Sequence, residues 1–375
     1  MTRIEKLLRE LIALPSVNPA FLPAKDPRAG EQRVAEFLAA TAAHAGLEVA
    51  FQPLAPGRSN LLVRLSPAAP VRQRILLAPH LDTVNAPDDQ FLPRRQGGRL
   101  YGRGACDTKG TVAAMVTALC ELAGSGRRPP STEVVFAGLI DEEHSQAGSR
   151  GLLASGFKAD LAIVGEPTRL KVVTAHKGSL WLRLETQGKA AHGARPELGR
   201  NAVHCMARIV DLLETDYAAQ LSTRSHALLG PPTVNVGTIS GGSQPNIVPD
   251  HCAILIDRRT LPGETQAGVC REIQQLLRRA NLKAQFDNAK FAPCPPLETD
   301  PQLPLVKSFL RSAGQRQPAG VHYFCDAAIL AEGGIPSVVF GPGDIAQAHT
   351  AEEWIELASL ERARALLVQF LRALP

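Results

Sequence analysis

Five short polar clusters hold the histidine and acidic residues that could carry out chemistry. They are HLDTV with His80 and Asp82, GRGACDTKG with Asp107, DEEHS with residues 141–145, GEPT with Glu166, and GPGDIAQAHTAEEW with His349. Imidazole and carboxylate groups are ligands of divalent metal ions, and both also transfer protons. Any one cluster is a weak signal. Five of them together favour metal-dependent chemistry over a set of unrelated structural residues.

The HLDTV cluster pairs a histidine with an aspartate two residues later. Residues two apart on a strand point to the same side, so His80 and Asp82 can meet. An aspartate that accepts the second imidazole N–H fixes which ring nitrogen faces a metal. Taken alone, the pair is more typical of a structural hydrogen bond than of a metal site.

The DEEHS cluster places three adjacent carboxylates, Asp141, Glu142 and Glu143, directly after the apolar run VVFAGLI. Like charges at a buried strand end repel one another, so such a cluster is costly unless cations neutralise it. A solvated acidic turn is the alternative. Asp107 stands between glycines that permit a tight, unusual backbone. A phosphate-binding loop is not indicated there, because the GxxxxGK[ST] pattern is missing.

The elements that must position these clusters are predicted from apolar runs. Residues 75–79, 134–140 and 161–164 are typical of buried strands, and residues 111–122 are typical of a helix. In open α/β sheets, ligands bind beyond the carboxyl ends of the strands. Four of the five clusters directly follow predicted strands, so we expect the chemistry to lie at that edge of the sheet.

The pattern changes from about residue 172. The segment WLRLETQG alternates like a half-exposed strand, Asn201 is placed to cap a helix, and the strand-like TVNVGTI and CAILID precede a helix over about 264–280. This order predicts an inserted α+β domain of βαββαβ type. The proline-rich FAPCPPLETDP then leads back to α/β character. We therefore predict an α/β catalytic domain in two parts, residues 1–173 and 289–375, around an inserted domain of residues 174–288.

Length and composition exclude several classes of protein. The 375 residues carry a formal charge of +5 without a basic stripe, which argues against a nucleic-acid partner. No apolar run approaches eighteen residues, so we expect no membrane span. The seven cysteines form no CxxC pair, which indicates reduced thiols and a cytoplasmic location.

In combination, the five clusters resemble those of the dinuclear zinc amidohydrolase and peptidase family. The resemblance runs from LIALPSVNP to the last helix. It implies a zinc-peptidase-like mixed sheet flanked by helices, with an inserted lid or dimerisation domain. It also implies two Zn²⁺ ions, with Co²⁺ or Mn²⁺ as substitutes. The residues implied to hold one ion are His80, Asp107 and Glu166, and those implied to hold the other are Asp107, Glu143 and His349.

The resemblance implies further roles for single residues. Asp82 would orient His80, and Glu142 would be the general base. In the inserted domain, GKAAHGARPELGRNA is similar to a family segment whose histidine, here His192, reaches the partner subunit's active site and stabilises the oxyanion. The segments QPNIVP and DRR are similar to those that contact a substrate carboxylate. Asn246 and Arg259 are the expected contacts, with Arg258 as a competitor.

The expected reaction is hydrolysis of the amide bond of an N-acyl amino acid or a dipeptide. The final cluster is most similar to the acetylornithine deacetylase form, so N-acetyl-L-ornithine is the expected substrate, within arginine biosynthesis. Succinyl-diaminopimelate desuccinylase and a glutamate carboxypeptidase-like exopeptidase are the alternatives. A relative that only binds ligands is less favoured, because no implied ligand or base is missing. The family also implies a homodimer formed through the inserted domain.

Overall fold

The structure, a computed structural model, describes residues 1–289 and 294–375. The start of the proline-rich segment FAPCPPLETDP, residues 291–293, lies outside the described residues. The helices of the described residues are, in chain order, α1 (Arg3–Ile12), α2 (Gln32–His44), α3 (Lys109–Gly124), α4 (Ala147–Ala154), α5 (Ala202–Leu212), α6 (Ala218–Ser222), α7 (Gln266–Arg279), α8 (Pro304–Ser312), α9 (Asp326–Glu332) and α10 (Leu357–Arg372).

The strands of the same residues include pieces as short as two residues. They are β1 (Glu48–Ala55), β2 (Arg58–Leu65), β3 (Gln73–Pro79), β4 (Arg94–Gln96), β5 (Arg99–Tyr101), β6 (Thr132–Gly138), β7 (Leu161–Gly165), β8 (Val173–His176), β9 (Gly178–Gln187), β10 (Thr233–Gly241), β11 (His251–Thr260), β12 (Gln285–Asn288), β13 (Leu297–Glu298), β14 (Ala319–Val321), β15 (Ser337–Val339) and β16 (Trp354–Glu356).

The chain divides into two units. The first comprises Met1–Thr174, Thr299–Ala319 and Cys325–Pro375, and the second comprises Ala175–Glu298 and Gly320–Phe324. The domain limits derived from the sequence, 174 and 288, stay a prediction. Among the described residues, no helix is both long enough and apolar enough to cross a bilayer.

A mixed sheet forms the centre of the first unit. The first six strands of this sheet lie in the order β1-β2-β6-β3-β7-β15, and the order continues with β8 and β13. The pairs β1/β2 and β2/β6 are antiparallel, whereas β6/β3, β3/β7 and β7/β15 are parallel. The parallel strands are buried on both faces, which explains why they appear in the sequence as continuous apolar runs.

Helices cover both faces of this sheet. The main core joins α1, α2, α3, α8 and α10 to one face, with Leu8, Phe136 and Phe370 all fully buried within it. On the opposite face, α4 contacts β1 and β2, while α9 contacts β7 and β15. A small antiparallel sheet, β16-β5-β4, completes the unit.

The second unit has an antiparallel sheet in the order β10-β11-β9-β12. Strand β9 alternates as its sequence predicts: Leu180, Leu182 and Leu184 are buried, whereas Trp181 is exposed. The buried side packs against α5, α6 and α7. Asn201 caps α5, because its side chain accepts the N–H of His204 at 3.0 Å. The predicted fold class, an α/β unit and an α+β unit of βαββαβ order, is confirmed.

Candidate metal centre

The carboxyl ends of three neighbouring parallel strands bring most of the acidic clusters to one edge of the first unit's sheet. Strand β3 lies between β6 and β7. His80 follows β3 and pairs with Leu139 beyond β6, and Glu166 follows β7. Because parallel strands end at the same edge, residues distant in sequence become neighbours there.

Asp107 reaches this edge from the glycine-rich loop before α3. Gly102 has a φ of +149°, and a Cβ at that position would collide with Ile12, so the loop requires glycine there. The peptide bond between Asp107 and Thr108 is cis. The loop buries the Asp107 side chain, which is 9% exposed, against the strand ends.

The two carboxylate oxygens of Asp107 face two different histidines. Oδ1 lies 3.1 Å from Nε2 of His80, and Oδ2 lies 3.4 Å from Nε2 of His349. His349 arrives on a loop in the last part of the chain and has a left-handed φ of +62°. Asp107 thus stands between two imidazoles, each presenting a ring nitrogen to one of its oxygens.

Three glutamates surround this pair of imidazoles. Glu143 lies 3.2 Å from His349 Nε2, and Glu166 lies 3.8 Å from His80 Nε2. Ligand atoms of His80, Asp107 and Glu143 lie within 4.8 Å of one another, and so do those of His80, Glu142 and Glu166. Glu142 and Glu166 therefore both lie close enough to His80 to share a cation with it.

The electrostatics of the cluster are dominated by crowded acids. Burial and the neighbouring Glu166 carboxylate raise the pKa of Glu142 well above its usual range. Burial, together with the charges of Asp107 and Glu143, does the same to the pKa of Glu166. Hydrogen bonds with Asp107 and Glu143 raise the pKa of His349 to about 10. Without metal, this cluster therefore retains protons.

The donor set fits divalent cations. Carboxylates that hold extra protons when crowded release them when a cation supplies the missing positive charge. The donors are imidazole nitrogens and carboxylate oxygens without a thiolate, a combination that suits Zn²⁺ and also Co²⁺ or Mn²⁺. The arrangement can therefore hold a pair of metal ions around Asp107.

Asp82 lies directly behind His80 and is fully buried. The Nδ1 of His80 is 3.0 Å from the Asp82 carbonyl oxygen and 3.5 Å from its carboxylate. The same carboxylate accepts the backbone N–H groups of Glu142 and Glu143, each at 3.1 Å. Asp82 therefore fixes both the imidazole and the backbone of the two glutamates.

Sequence reasoning missed Asn18, which holds Asp82 in place. Its Nδ2 donates to Asp82 at 2.8 Å and to Asp141 at 2.9 Å, while its Oδ1 accepts the N–H of Ala20 at 3.0 Å. The only signal was its place in LIALPSVNP, the first segment of the family resemblance. A polar residue after an apolar helix carries no indication of a partner 64 positions away.

His192 and Asn246 belong to the second unit and lie on adjacent segments there. His192 pairs with Ile247 in an isolated bridge, and the N–H of Gly193 donates to the Asn246 carbonyl at 2.7 Å. The His192 side chain is exposed, and its Nδ1 accepts the N–H of Ala194 at 3.1 Å. The imidazole therefore lies on the surface of the second unit.

The neighbouring arginines of β11 have opposite environments. Arg258 is fully buried, donates to Glu264 at 2.6 Å and lies against Tyr217. Arg259 is half-buried, donates to Asp257 at 2.9 Å and stacks over Phe324. Strand alternation places one guanidinium in the interior of the second unit and the other on its surface.

Comparisons with known proteins give a consistent result. The sequence profile of peptidase family M20/M25/M40 matches residues 76–373. An acetylornithine deacetylase of Proteus mirabilis is 32% identical over 98% of this chain and 95% of its own length. One from Myxococcus xanthus is 34% identical over 80% of this chain and 79% of its own.

Among solved structures, aminopeptidase PepT from Bacillus cereus superposes with a TM-score of 0.80 at 22% identity, covering 99% of this chain and 97% of that one. The Bacillus subtilis YXEP protein, described as a dinuclear metal binding peptidase, has a TM-score of 0.71 at 14% identity, covering 99% and 97%. At these identities, the likeness establishes a common fold.

Proposed function

The chain belongs to peptidase family M20/M25/M40, and on that premise we propose that it removes the acetyl group of N-acetyl-L-ornithine with two bound metal ions. As a member of this family it is an enzyme that hydrolyses amide bonds. The substrate proposal is supported by full-length relatives that are named acetylornithine deacetylase. The activity fits arginine biosynthesis in the cytoplasm.

The observation that carries this proposal is the position of Asp107. Each of its two oxygens faces a different imidazole nitrogen, at 3.1 and 3.4 Å. A carboxylate in this position can bridge two cations. His80 and Glu166 would complete the ligands of one ion, and Glu143 and His349 would complete those of the other. Zinc is the proposed metal, with Co²⁺ or Mn²⁺ as substitutes.

When bound, a pair of divalent ions lowers the pKa of a nearby water and polarises the amide carbonyl. Glu142 is proposed as the general base that takes a proton from the attacking water and passes it to the leaving amine. Burial and the neighbouring Glu166 raise the pKa of Glu142, which makes its carboxylate a stronger proton acceptor and supports this role. The Asp82 carboxylate accepts the backbone N–H of Glu142 and so keeps Glu142 in place.

The second unit is proposed to bind the rest of the substrate. Asn246 and Arg259 would contact the α-carboxylate of ornithine. The half-exposed position of Arg259 supports this choice over Arg258, whose guanidinium is buried with Glu264. His192 would stabilise the oxyanion from the partner subunit of a homodimer. An exposed imidazole suits that task.

The proposed reaction is tested with protein stripped by a chelator and reloaded with Zn²⁺, Co²⁺ or Mn²⁺. The substrates are N-acetyl-L-ornithine, N-succinyl-diaminopimelate and a glutamyl dipeptide. We expect metal-dependent turnover that is fastest with N-acetyl-L-ornithine. Faster turnover of one of the other two compounds would identify that compound as the preferred substrate instead. No turnover of any of them, with metal bound, would favour a protein that only binds ligands.

The shared site is tested by mixing inactive variants. His192→Ala and Glu142→Gln subunits should each be inactive alone. If His192 acts on the partner's site, mixed dimers regain about one working site of two. Subunit exchange is checked separately with two affinity tags. Proven exchange without recovered activity would mean that each subunit contains its whole site.

A further inference from the structure

Glu353 is a buried acid whose role the proposed reaction leaves unexplained. It lies in AEEW, four residues after His349, and is 1% exposed. Its Oε1 accepts the backbone N–H groups of Cys106 at 2.8 Å and Asp107 at 2.9 Å. Its Oε2 accepts the Arg103 Nη1 at 2.7 Å and the N–H of Gly104 at 3.1 Å. One carboxylate thus receives four donors from a single loop.

Further hydrogen bonds join the loop before Asp107 to the segment that follows His349. The carbonyl of Glu353 accepts the N–H of Gly102 at 3.0 Å, and Arg103 also donates to the Thr350 carbonyl at 3.1 Å. The following strand β16 pairs with β5, with Trp354 opposite Tyr101. Residues 102–107 and residues 350–354 are therefore joined by several hydrogen bonds.

These two segments carry Asp107 and His349, which belong to distant parts of the chain. Their side chains lie 3.4 Å apart. Charge-assisted hydrogen bonds to a buried carboxylate are roughly twice as strong as neutral ones, and here four of them share one acceptor group. Glu353 acts on Asp107 through the backbone N–H of that residue, and on His349 through the short stretch of chain that joins Glu353 to it. Its oxygens accept N–H groups and do not contact the imidazole or the Asp107 carboxylate in the hydrogen bonds described.

We propose that Glu353 is a positioning residue that sets the separation of Asp107 and His349 and so determines how tightly the metal pair binds. The inference rests on the proposed two-metal function. A group that orients the ligands without contacting the ion typically changes metal affinity by about 10–100-fold when it is removed. Such an orienting group usually contacts a single ligand, whereas Glu353 holds together two segments that each carry a ligand.

The test compares Glu353→Gln with Glu352→Gln in the full-length protein. The side-chain amide introduced in the first variant presents its NH₂ to groups that also donate, so part of the four-donor arrangement is lost. Glu352 is exposed and lies 3.9 Å from Arg94, so its replacement makes the same charge change without that loss. Zinc affinity is measured by competition with a chromophoric chelator.

We expect Zn²⁺ to bind about 10–100-fold more weakly to Glu353→Gln and normally to Glu352→Gln. The absorption bands of the Co²⁺-loaded variant should also shift, because its coordination geometry changes. At saturating metal, kcat should fall while KM stays near the wild-type value. A purely structural role would instead lower the melting temperature and leave the zinc affinity and the cobalt spectrum unchanged, which would overturn the proposal.

Arg103→Lys keeps the positive charge but loses the link to Thr350, and it serves if Glu353→Gln does not fold. It should weaken zinc binding in the same direction by a smaller factor, and unchanged affinity in this folded variant would overturn the proposal. Wild-type protein that binds no Zn²⁺ would overturn the two-metal function itself. Normal wild-type binding with normal variant binding would overturn only the role of Glu353.

Discussion

Glu142 and Glu143 are adjacent carboxylates with different proposed tasks, and their glutamine variants should fail in different ways. Both follow β6 in the same turn, and both backbone N–H groups donate to Asp82. Only Glu143 contacts His349, at 3.2 Å. We expect Glu142→Gln to keep its metal and lose turnover, and Glu143→Gln to lose metal and turnover together.

The size of each effect follows from the task removed. General acid–base catalysis contributes about 10²–10⁴ in rate, so Glu142→Gln should raise the activation free energy by about 3–5 kcal/mol. KM should change little, because the side chain is assigned to the proton and not to the substrate. Loss of a direct ligand should weaken metal binding at least as much as the 10–100-fold typical of outer partners.

The assay measures metal content and turnover on the same samples. Each protein is dialysed at a fixed free Zn²⁺ concentration, its zinc is counted by mass spectrometry, and kcat is measured with N-acetyl-L-ornithine. His144→Gln is the control, because that side chain is exposed and its ring lies against Phe21. It should leave both quantities unchanged.

One outcome would refute the assignment directly. The carboxylate of Glu142 lies within 4.8 Å of the ligand atoms of His80 and Glu166, so its position alone also permits metal binding. If Glu142→Gln loses zinc as Glu143→Gln does, Glu142 is a ligand. If it keeps both zinc and wild-type turnover, it is not the base.

Four further results are expected. At pH 8, zinc binding should release about one proton or more, because the His349 pKa of about 10 leaves the metal-free imidazole charged. Calorimetry in buffers of different ionisation enthalpy measures the number of protons released. Zinc binding without proton release would contradict the prediction. In metal-free protein, the same shift stabilises the fold below pH 6.5, and this is lost as pH rises towards 10. Burial raises the pKa of Asp326 to about 7, so this carboxyl group destabilises the fold increasingly as pH rises from about 4 to 7. Asp326→Asn should remove this destabilisation, which amounts to up to about 4 kcal/mol in the free energy of unfolding by urea without metal. A variant whose free energy of unfolding differs from the wild-type value by the same amount at pH 5 and pH 8 would contradict this. Arg258→Met should destabilise the fold by about 3 kcal/mol, because it leaves Glu264 with one arginine fewer. Arg259→Met should instead raise KM at unchanged stability. The reverse pattern would contradict the choice of Arg259 as the substrate contact.

The strands that carry the site could be predicted because they are buried on both faces. The predicted ranges 75–79, 134–140 and 161–164 overlap β3 (Gln73–Pro79), β6 (Thr132–Gly138) and β7 (Leu161–Gly165). Their parallel pairing then accounts for the shared edge. The hairpin of β1 and β2 was not predicted, since the exposed positions of β1 interrupt its apolar pattern.

The residues that support the ligands could not be derived from spacing. Glu352 and Glu353 are adjacent and chemically identical, yet one is exposed and the other is 1% exposed. The difference arises from a loop 246 positions earlier in the chain. The role of Asn18 likewise depends on its hydrogen bonds to Asp82 and Asp141. Local patterns record which face of an element is apolar, but they do not record which distant backbone will supply a hydrogen-bond donor.

The parallel pairing of β7 with β15 has a consequence for synthesis of the chain. Chains emerge from the ribosome amino end first, and β7 precedes β15 by the entire second unit. Until Ser337–Val339 are made, one side of β7 presents unpaired N–H and carbonyl groups beside an apolar surface. Such an edge is a template for another nascent chain. Unfinished polypeptides, rather than the finished enzyme, are therefore the form of this protein most prone to aggregate.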